Sequence, residues 1–201
     1  MAGLAAADLL NVPADYRDYR VALWLLWSAT LLAVVTAYSG AVIGSVLLPS
    51  RIPGIVDLLL PLVLGIVEFL LFGILAHKVT SLSSPTSVVA AWFFTFTVFG
   101  LVAAVAVWRA SRIIDPGEFS PDLAPAVRAY LRGLREDMAS ATALAVVSLA
   151  AAIVNLKVHS PVIQDGIFAG VIVAGLVAAL TAHQRAAGRL RTAMRPRPKR
   201  T

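Results

Sequence analysis

The chain contains no cysteine, and this absence excludes several kinds of chemistry at once. Without cysteine there can be no disulfide, no thiolate nucleophile and no zinc–thiolate site. The sequence also lacks a phosphate-binding glycine loop, a Gly-x-Ser-x-Gly nucleophile motif and a metalloprotease motif. We therefore predict no cofactor and no metal site. The missing motifs make an enzyme less expected but do not exclude one.

Charged residues are also scarce. Only 14% of the 201 residues are charged and 59% are hydrophobic, whereas about a quarter of an ordinary globular domain is charged. Apolar runs long enough to cross a bilayer follow one another with short gaps. They are Val21–Leu48, Ile55–Ala76, Ser87–Trp108, Met138–Val158 and Gly166–Ala187. The sequence thus predicts an all-α integral membrane protein, a bundle of about five transmembrane helices in a lipid bilayer.

The basic residues are unevenly distributed between the segments that flank these runs. With the N-terminus outside, four basic residues are external and thirteen are internal, seven of them in the tail Arg185–Thr201. Because cytoplasmic segments are enriched in Lys and Arg, we predict an external segment 1–20, a membrane domain 21–187 and a basic cytoplasmic tail 188–201. The excess of Ala, Val and Arg is typical of high-GC bacterial coding, which favours a bacterial inner membrane. The tail is expected to contact anionic lipid and not nucleic acid.

The loop 109–137 has a helical pattern of its own. Ser120-Pro121-Asp122 is a plausible helix start. Apolar residues then recur at helical spacing, while basic residues occupy another face: Leu123, Val127, Tyr130, Leu131, Leu134 and Met138 against Arg128, Arg132 and Arg135. This pattern predicts one amphipathic cytoplasmic helix that lies along the inner membrane surface and leads into the fourth span.

The second apolar run carries the leading candidate site. Glu68 lies near its middle, and Asp57 lies eleven residues earlier, within roughly 20° of the same helix face. Pro61 and Gly65 share that stripe. An ionisable group at membrane depth is costly and tends to mark a pathway or a relay. Glu68 and Asp57 are therefore candidates for a proton or cation site. Alternatively, Glu68 is a neutral carboxyl that bonds a neighbouring helix, and Asp57 pairs with Arg51 or caps its helix.

Polar residues near the outer ends of the second and fourth spans are candidate partners for these carboxylates. They are His77, Lys157 and His159 at the interface, and Asn155 closer to the membrane interior. The two histidines lack the spacing and the third ligand that a metal or haem would need. Both histidines are better explained as interfacial residues whose polar ends extend towards water.

The third span carries aromatic residues in its outer half, including Trp92, Phe93 and Phe96. Lipid contact and anchoring in the aromatic belt are one interpretation. The other is an aromatic wall beside a buried acid, which would suit an isoprenoid or another lipophilic substrate.

Small residues recur on three predicted spans. They are Gly40 and Gly44 in the first, Ala141, Ala145, Ser148, Ala152, Asn155 and His159 in the fourth, and Gly166, Gly170, Ala174, Ala178 and Ala182 in the fifth. Such stripes allow helices to approach closely in lipid. We predict packing within the monomer, with a homo-oligomer or a membrane-complex partner as the alternative.

Three functions follow from these patterns. The first is conduction or transport of a proton, cation or small solute through the buried carboxylate Glu68. The second is a membrane enzyme that acts on a lipophilic substrate with Glu68 as general acid. The third is an accessory or assembly subunit of a membrane complex, in which the small-residue stripes form the contact.

Overall fold

The computed structural model describes residues 7–11, 18–47, 55–77, 85–158 and 162–194, which are almost entirely helical and form no strand. Five long helices follow one another: α1 is Arg20–Leu47, α2 Ile55–His77, α3 Pro85–Ile113, α4 Ala124–Val158 and α5 Val162–Met194. A short 3-10 turn, Pro116–Glu118, lies between α3 and α4. The predicted all-helical class is confirmed.

Four apolar helices within these ranges are long enough to cross a bilayer. They are Arg20–Ser39, Thr86–Ile113, Ala124–Lys157 and Ile163–Arg185. The helix α2 contributes a shorter apolar stretch, Leu62–Ile74. The described chain thus fits a membrane-embedded helical protein with four candidate spans, one fewer than the sequence pattern predicts.

The five helices form a closed ring. Each helix packs against the next along the chain, and α5 packs against α1, while α1 and α3 also touch across the ring. All five contribute to one buried cluster, which includes Leu26, Phe72, Trp92, Ala151 and Ile172. The part of the ring interior that the structure describes is therefore filled mainly by apolar side chains.

The predicted amphipathic segment is the first part of α4 and not a separate helix. No proline lies between Pro125 and the end of this helix at Val158, so the 35-residue helix is not interrupted. It is about 52 Å long against a hydrocarbon core of about 30 Å. Val127, Tyr130 and Leu134 are buried with Ile114 at the end of α3. This apolar face is therefore covered by protein at the end of α3, and the placement of the segment along the membrane surface stays a prediction.

The small residues of α4 pack inside the bundle, as predicted. Ala145, Ser148, Ala152 and Asn155 are all buried. The contact with α3 is close, because a Cβ added at Gly100 would lie 3.0 Å from the Cβ of Ala145. The prediction of packing within the monomer is confirmed for this stripe, except at His159, which lies outside the described residues.

The small residues of α5 face away from the bundle. Ala174, Ala178 and Ala182 are exposed, and a Cβ added at Gly166 or Gly170 would meet nothing within 4 Å. The helix instead buries another face, which carries Asp165, Ala169, Ile172 and Leu176. Packing of this stripe within the monomer is therefore a wrong prediction for α5. The surroundings of Gly40 and Gly44 lie outside the described part of α1.

Candidate functional site

The described side chains of α2 show which of its faces is turned towards the bundle. Leu64 is 4% exposed and Phe72 is fully buried, whereas Leu62, Val63 and Leu70 are each about half exposed. Position 68 is four residues from both Leu64 and Phe72, so the helical period places it midway between these two buried positions.

Position 57 falls on the same face of α2, because eleven residues correspond to three turns of an α-helix. The side chains of Asp57 and Glu68 lie outside the described part of the structure, and so does that of His77 at the end of α2. What the fold supplies is the register: both positions are on the face of α2 that buries Leu64 and Phe72.

Asn155 has a different partner from the one suggested by the sequence. Its Nδ2 donates to Oδ1 of Asp165 at 2.5 Å, and both side chains are buried. Asp165 lies in the first turn of α5, where the helix dipole favours a carboxylate. Lys157, in the last turn of α4, is exposed. Asn155 thus joins α4 to α5, and no described contact brings it to α2.

A second polar pair joins the inner parts of α4 and α5. Nδ1 of His183 lies 3.2 Å from Oδ2 of Asp137, and the His183 side chain is only 5% exposed. Asp137 precedes Asn155 by eighteen residues, and Asp165 precedes His183 by eighteen. This spacing is five full helical turns, or about 27 Å, which is close to the hydrocarbon thickness.

The two pairs therefore lie on one seam between antiparallel helices, about 27 Å apart along it. The buried residues between them are mostly apolar and include Ala152, Ala169, Ile172 and Leu176. A continuous proton or ion route would need polar groups along the whole path. This described seam is suited to fixing the register of α4 against α5, because hydrogen bonds between helices in lipid contribute about 0.6–2 kcal/mol each and form at only one alignment.

The aromatic residues of α3 fill the ring. Trp92, Phe93 and Phe96 are at most 2% exposed. The Trp92 and Phe96 rings are stacked at 4.8 Å between centroids, and Nε1 of Trp92 donates to Oγ1 of Thr30 at 3.1 Å. Lipid contact is therefore wrong for these three, although it fits Phe94, which is 58% exposed.

Sequence reasoning missed Asp137, Asp165 and His183. The two aspartates stand just outside the predicted spans Met138–Val158 and Gly166–Ala187, so neither was read as a residue of a buried helix face. The equal eighteen-residue offsets were the available signal, because they place two polar residues on one face of each of two neighbouring helices.

Across the described ranges, no group of three or more histidine, aspartate and glutamate residues could hold a metal ion. No protein-family model, no curated protein and no solved structure matches the chain. The length and composition of the four apolar helices are compatible with a membrane-embedded helical protein.

Proposed function

We propose that the chain is a five-span protein of a bacterial inner membrane that binds and conducts or transports a proton or a cation. Its N-terminal segment is external and its C-terminus is cytoplasmic. The fifth span is α2, whose 23 residues measure about 35 Å, enough for the hydrocarbon core. The charge asymmetry of the sequence supports the orientation.

The observation that carries this proposal is the position of Glu68 on α2. It lies at mid-helix between two buried neighbours, Leu64 and Phe72, on the face opposite the half-exposed Leu70. An ionisable residue at that depth and on that face is costly and is retained mainly where it binds or relays charge. In this proposal Glu68 is the proton or cation acceptor.

Asp57 is a second proposed binding position on the same face, about 16 Å from Glu68 along the helix. Pro61 lies between them and has no N–H group, so the carbonyl of residue 57 lacks its usual helical donor. A carboxylate beside an unbonded backbone carbonyl is a suitable environment for a cation, as in the discontinuous helices of transporters.

A second candidate function is favoured by α5. Its small-residue face, Gly166, Gly170, Ala174, Ala178 and Ala182, is open in the monomer, and faces of this kind support close helix association in lipid. This supports an accessory or assembly subunit that binds another membrane helix. The enzyme alternative gains no support from Trp92, Phe93 and Phe96, because they pack against one another and their neighbours.

The test is flux through the reconstituted protein, driven by a gradient of protons, Na⁺ or K⁺. We expect flux in wild type and none in Glu68→Gln, because glutamine keeps the shape and hydrogen bonding of a protonated carboxyl but cannot ionise. Leu70→Gln is the matched control, since it puts the same amide on the opposite face, and its flux should equal wild type. Undiminished flux in Glu68→Gln, or no flux of any of the three ions in wild type, would overturn the proposal.

A further inference from the structure

The helices α3 and α4 are antiparallel, and their contacts show which of their residues lie at the same depth. Gly100 lies against Ala141 and Ala145, and Ile114, just beyond the end of α3, is buried with Tyr130. Each step along α3 towards Ile114 is therefore matched by an equal step back along α4.

Arg112 of α3 and Arg135 of α4 lie on the same side of this helix pair. Arg112 is twelve residues beyond Gly100, which places it about 120° around α3 from the line of contact. Arg135 is six residues before Ala141, which places it about 120° around α4 in the same sense along the chain. In an antiparallel pair, equal rotations along the chain lead to the same side. The register sets the two arginines about one helical turn apart in depth, and both are exposed.

An exposed apolar stripe on α3 leads up to Arg112, which continues it at the next step of four residues. The residues of the stripe recur every three or four positions and are each about half exposed: Phe94, Val98, Leu101, Val105 and Trp108. The same side of α4 carries further exposed apolar residues, Val146, Leu149 and Ile153. The helix α5 packs on the opposite side of α4, where Leu144 meets Gly175. This side, which we call the outer face of α3 and α4, is therefore part of the bundle surface.

The two arginines lie where the apolar stripe ends. Trp108 ends the predicted run Ser87–Trp108, and tryptophan at such a position is typical of the headgroup level. The Arg112 guanidinium lies over the Trp108 ring, 5.4 Å from its centroid, so a cation–π contact orients it. Arg135 lies three residues before Met138, where the fourth apolar run begins. Both charged groups are therefore at one edge of the hydrocarbon region.

Neither arginine has a carboxylate within ion-pair distance in the part of the chain that the structure describes. The side chain of Asp115 accepts from the Gly117 N–H, and Glu136 lies a further 100° around α4, away from α3. A guanidinium group forms two parallel hydrogen bonds with a phosphate. Two such groups beside an apolar stripe therefore match an anionic phospholipid, which joins a phosphate to two acyl chains.

We propose that the outer face of α3 and α4 binds one anionic phospholipid, with its phosphate between Arg112 and Arg135 and its acyl chains on the apolar stripe. In the proposed orientation the site is in the cytoplasmic leaflet, where anionic lipids attract basic residues. It differs from a general attraction of the basic tail to lipid, because it uses two arginines at fixed positions and takes one lipid. The site requires neither Glu68 nor conduction.

The first test counts phosphatidylglycerol and phosphatidylcholine on the protein by native mass spectrometry during titration in mixed micelles. We expect wild type to retain one phosphatidylglycerol in preference to phosphatidylcholine. The double variant Arg112→Gln with Arg135→Gln should bind it at least about tenfold more weakly, because charge-assisted hydrogen bonds to the phosphate are lost.

The matched control is Arg109→Gln with Arg132→Gln, which removes the same charge from the same two helices. Each of these exposed arginines is nine residues from a contact residue, Gly100 or Ala141, and so lies on the opposite face of its helix. Binding by this control should stay within about twofold of wild type. Equal losses in the two pairs, or equal binding of the two lipids by wild type, would overturn the proposal. Circular dichroism checks folding, and the single substitutions replace a pair that unfolds.

The second test locates the lipid with a fluorescent probe on a single cysteine, which the cysteine-free chain makes specific. The probe is placed at Leu101→Cys on the stripe, or at Val177→Cys on α5, which is similarly exposed and lies at the same depth. Phosphatidylglycerol with brominated acyl chains is added to phosphatidylcholine bilayers. We expect half-maximal quenching at Leu101→Cys to need several-fold less of this lipid than at Val177→Cys, and Arg112→Gln with Arg135→Gln to remove the difference. Identical quenching curves at the two positions would overturn the site.

Discussion

Replacing Gly100 with alanine tests the close approach of α3 to α4. The added Cβ would lie 3.0 Å from the Cβ of Ala145 and 3.2 Å from the carbonyl oxygen of Ala141. Non-bonded carbon atoms prefer roughly 3.5–4.0 Å, and both neighbouring atoms are fixed to the backbone of α4. The helices α3 and α4 would therefore have to separate by several tenths of an ångström. Their contact is the most extensive one between the described helices.

Two opposing effects determine how much Gly100→Ala changes the free energy of unfolding. Overpacking of this kind costs about 1–3 kcal/mol, while the higher helix propensity of alanine returns about 1 kcal/mol. Gly170→Ala is the matched control, because it has the same propensity gain and its Cβ would meet nothing within 4 Å. The free energy of unfolding should thus be lower in Gly100→Ala than in Gly170→Ala by about 1–3 kcal/mol.

The assay is reversible unfolding in mixed micelles, followed by circular dichroism and by tryptophan fluorescence. Gly175→Ala should fall between the two variants. Its Cβ would lie 2.7 Å from Cδ2 of Leu144, but that methyl group can rotate away and the clash is easier to relieve. Equal stability of Gly100→Ala and Gly170→Ala would refute the argument that α3 and α4 are held at a distance that only glycine allows.

Three further predictions follow from the exposed and buried faces. Gly170→Leu should leave monomer stability unchanged and lower the amount of cross-linked oligomer in membranes; an unchanged oligomer fraction would mean that this face meets lipid. Asn155→Leu should lower the free energy of unfolding by about 1–3 kcal/mol, because the hydrogen bond from Asn155 to the buried Asp165 carboxylate is lost. It should cost less when Asp165 is already alanine, and additive costs would contradict this. Asn11→Cys should react with an impermeant thiol reagent in intact cells and Arg135→Cys only after permeabilisation, and the reverse pattern would invert the topology.

The bounds of α1 and α2 could be predicted because both helices coincide with an apolar run, whereas α3, α4 and α5 extend beyond their apolar runs into polar segments. The run Ile55–Ala76 corresponds to a helix that ends one residue later, at His77. The sequence also predicts that Val127, Tyr130 and Leu134 form one apolar face, and all three are buried. It does not predict that the end of α3 covers them, because helical periodicity does not distinguish a membrane surface from a neighbouring helix.

The inner and outer faces of the apolar helices could not be predicted in the same way. Lipid chains are as apolar as leucine, so a stripe of small or aromatic residues is stable in either environment. For this reason the sequence placed Trp92 against lipid and Gly170 inside the monomer, and the structure has the reverse. Polar residues are more informative: Asn155, Asp165 and His183 are all buried, because in lipid they would lack partners.

The closed ring has a consequence for how the protein is made. The first long helix, α1, packs against the last, α5, and helices enter the membrane in the order of synthesis and associate afterwards. During most of translation, the face of α1 that packs against α5 is therefore not covered by that helix. The hydrogen bond between Asn155 and Asp165 also cannot form until α5 has been made. A nascent chain that stops before α5 therefore leaves the Asn155 amide without the hydrogen bond that it makes to Asp165 in the complete bundle.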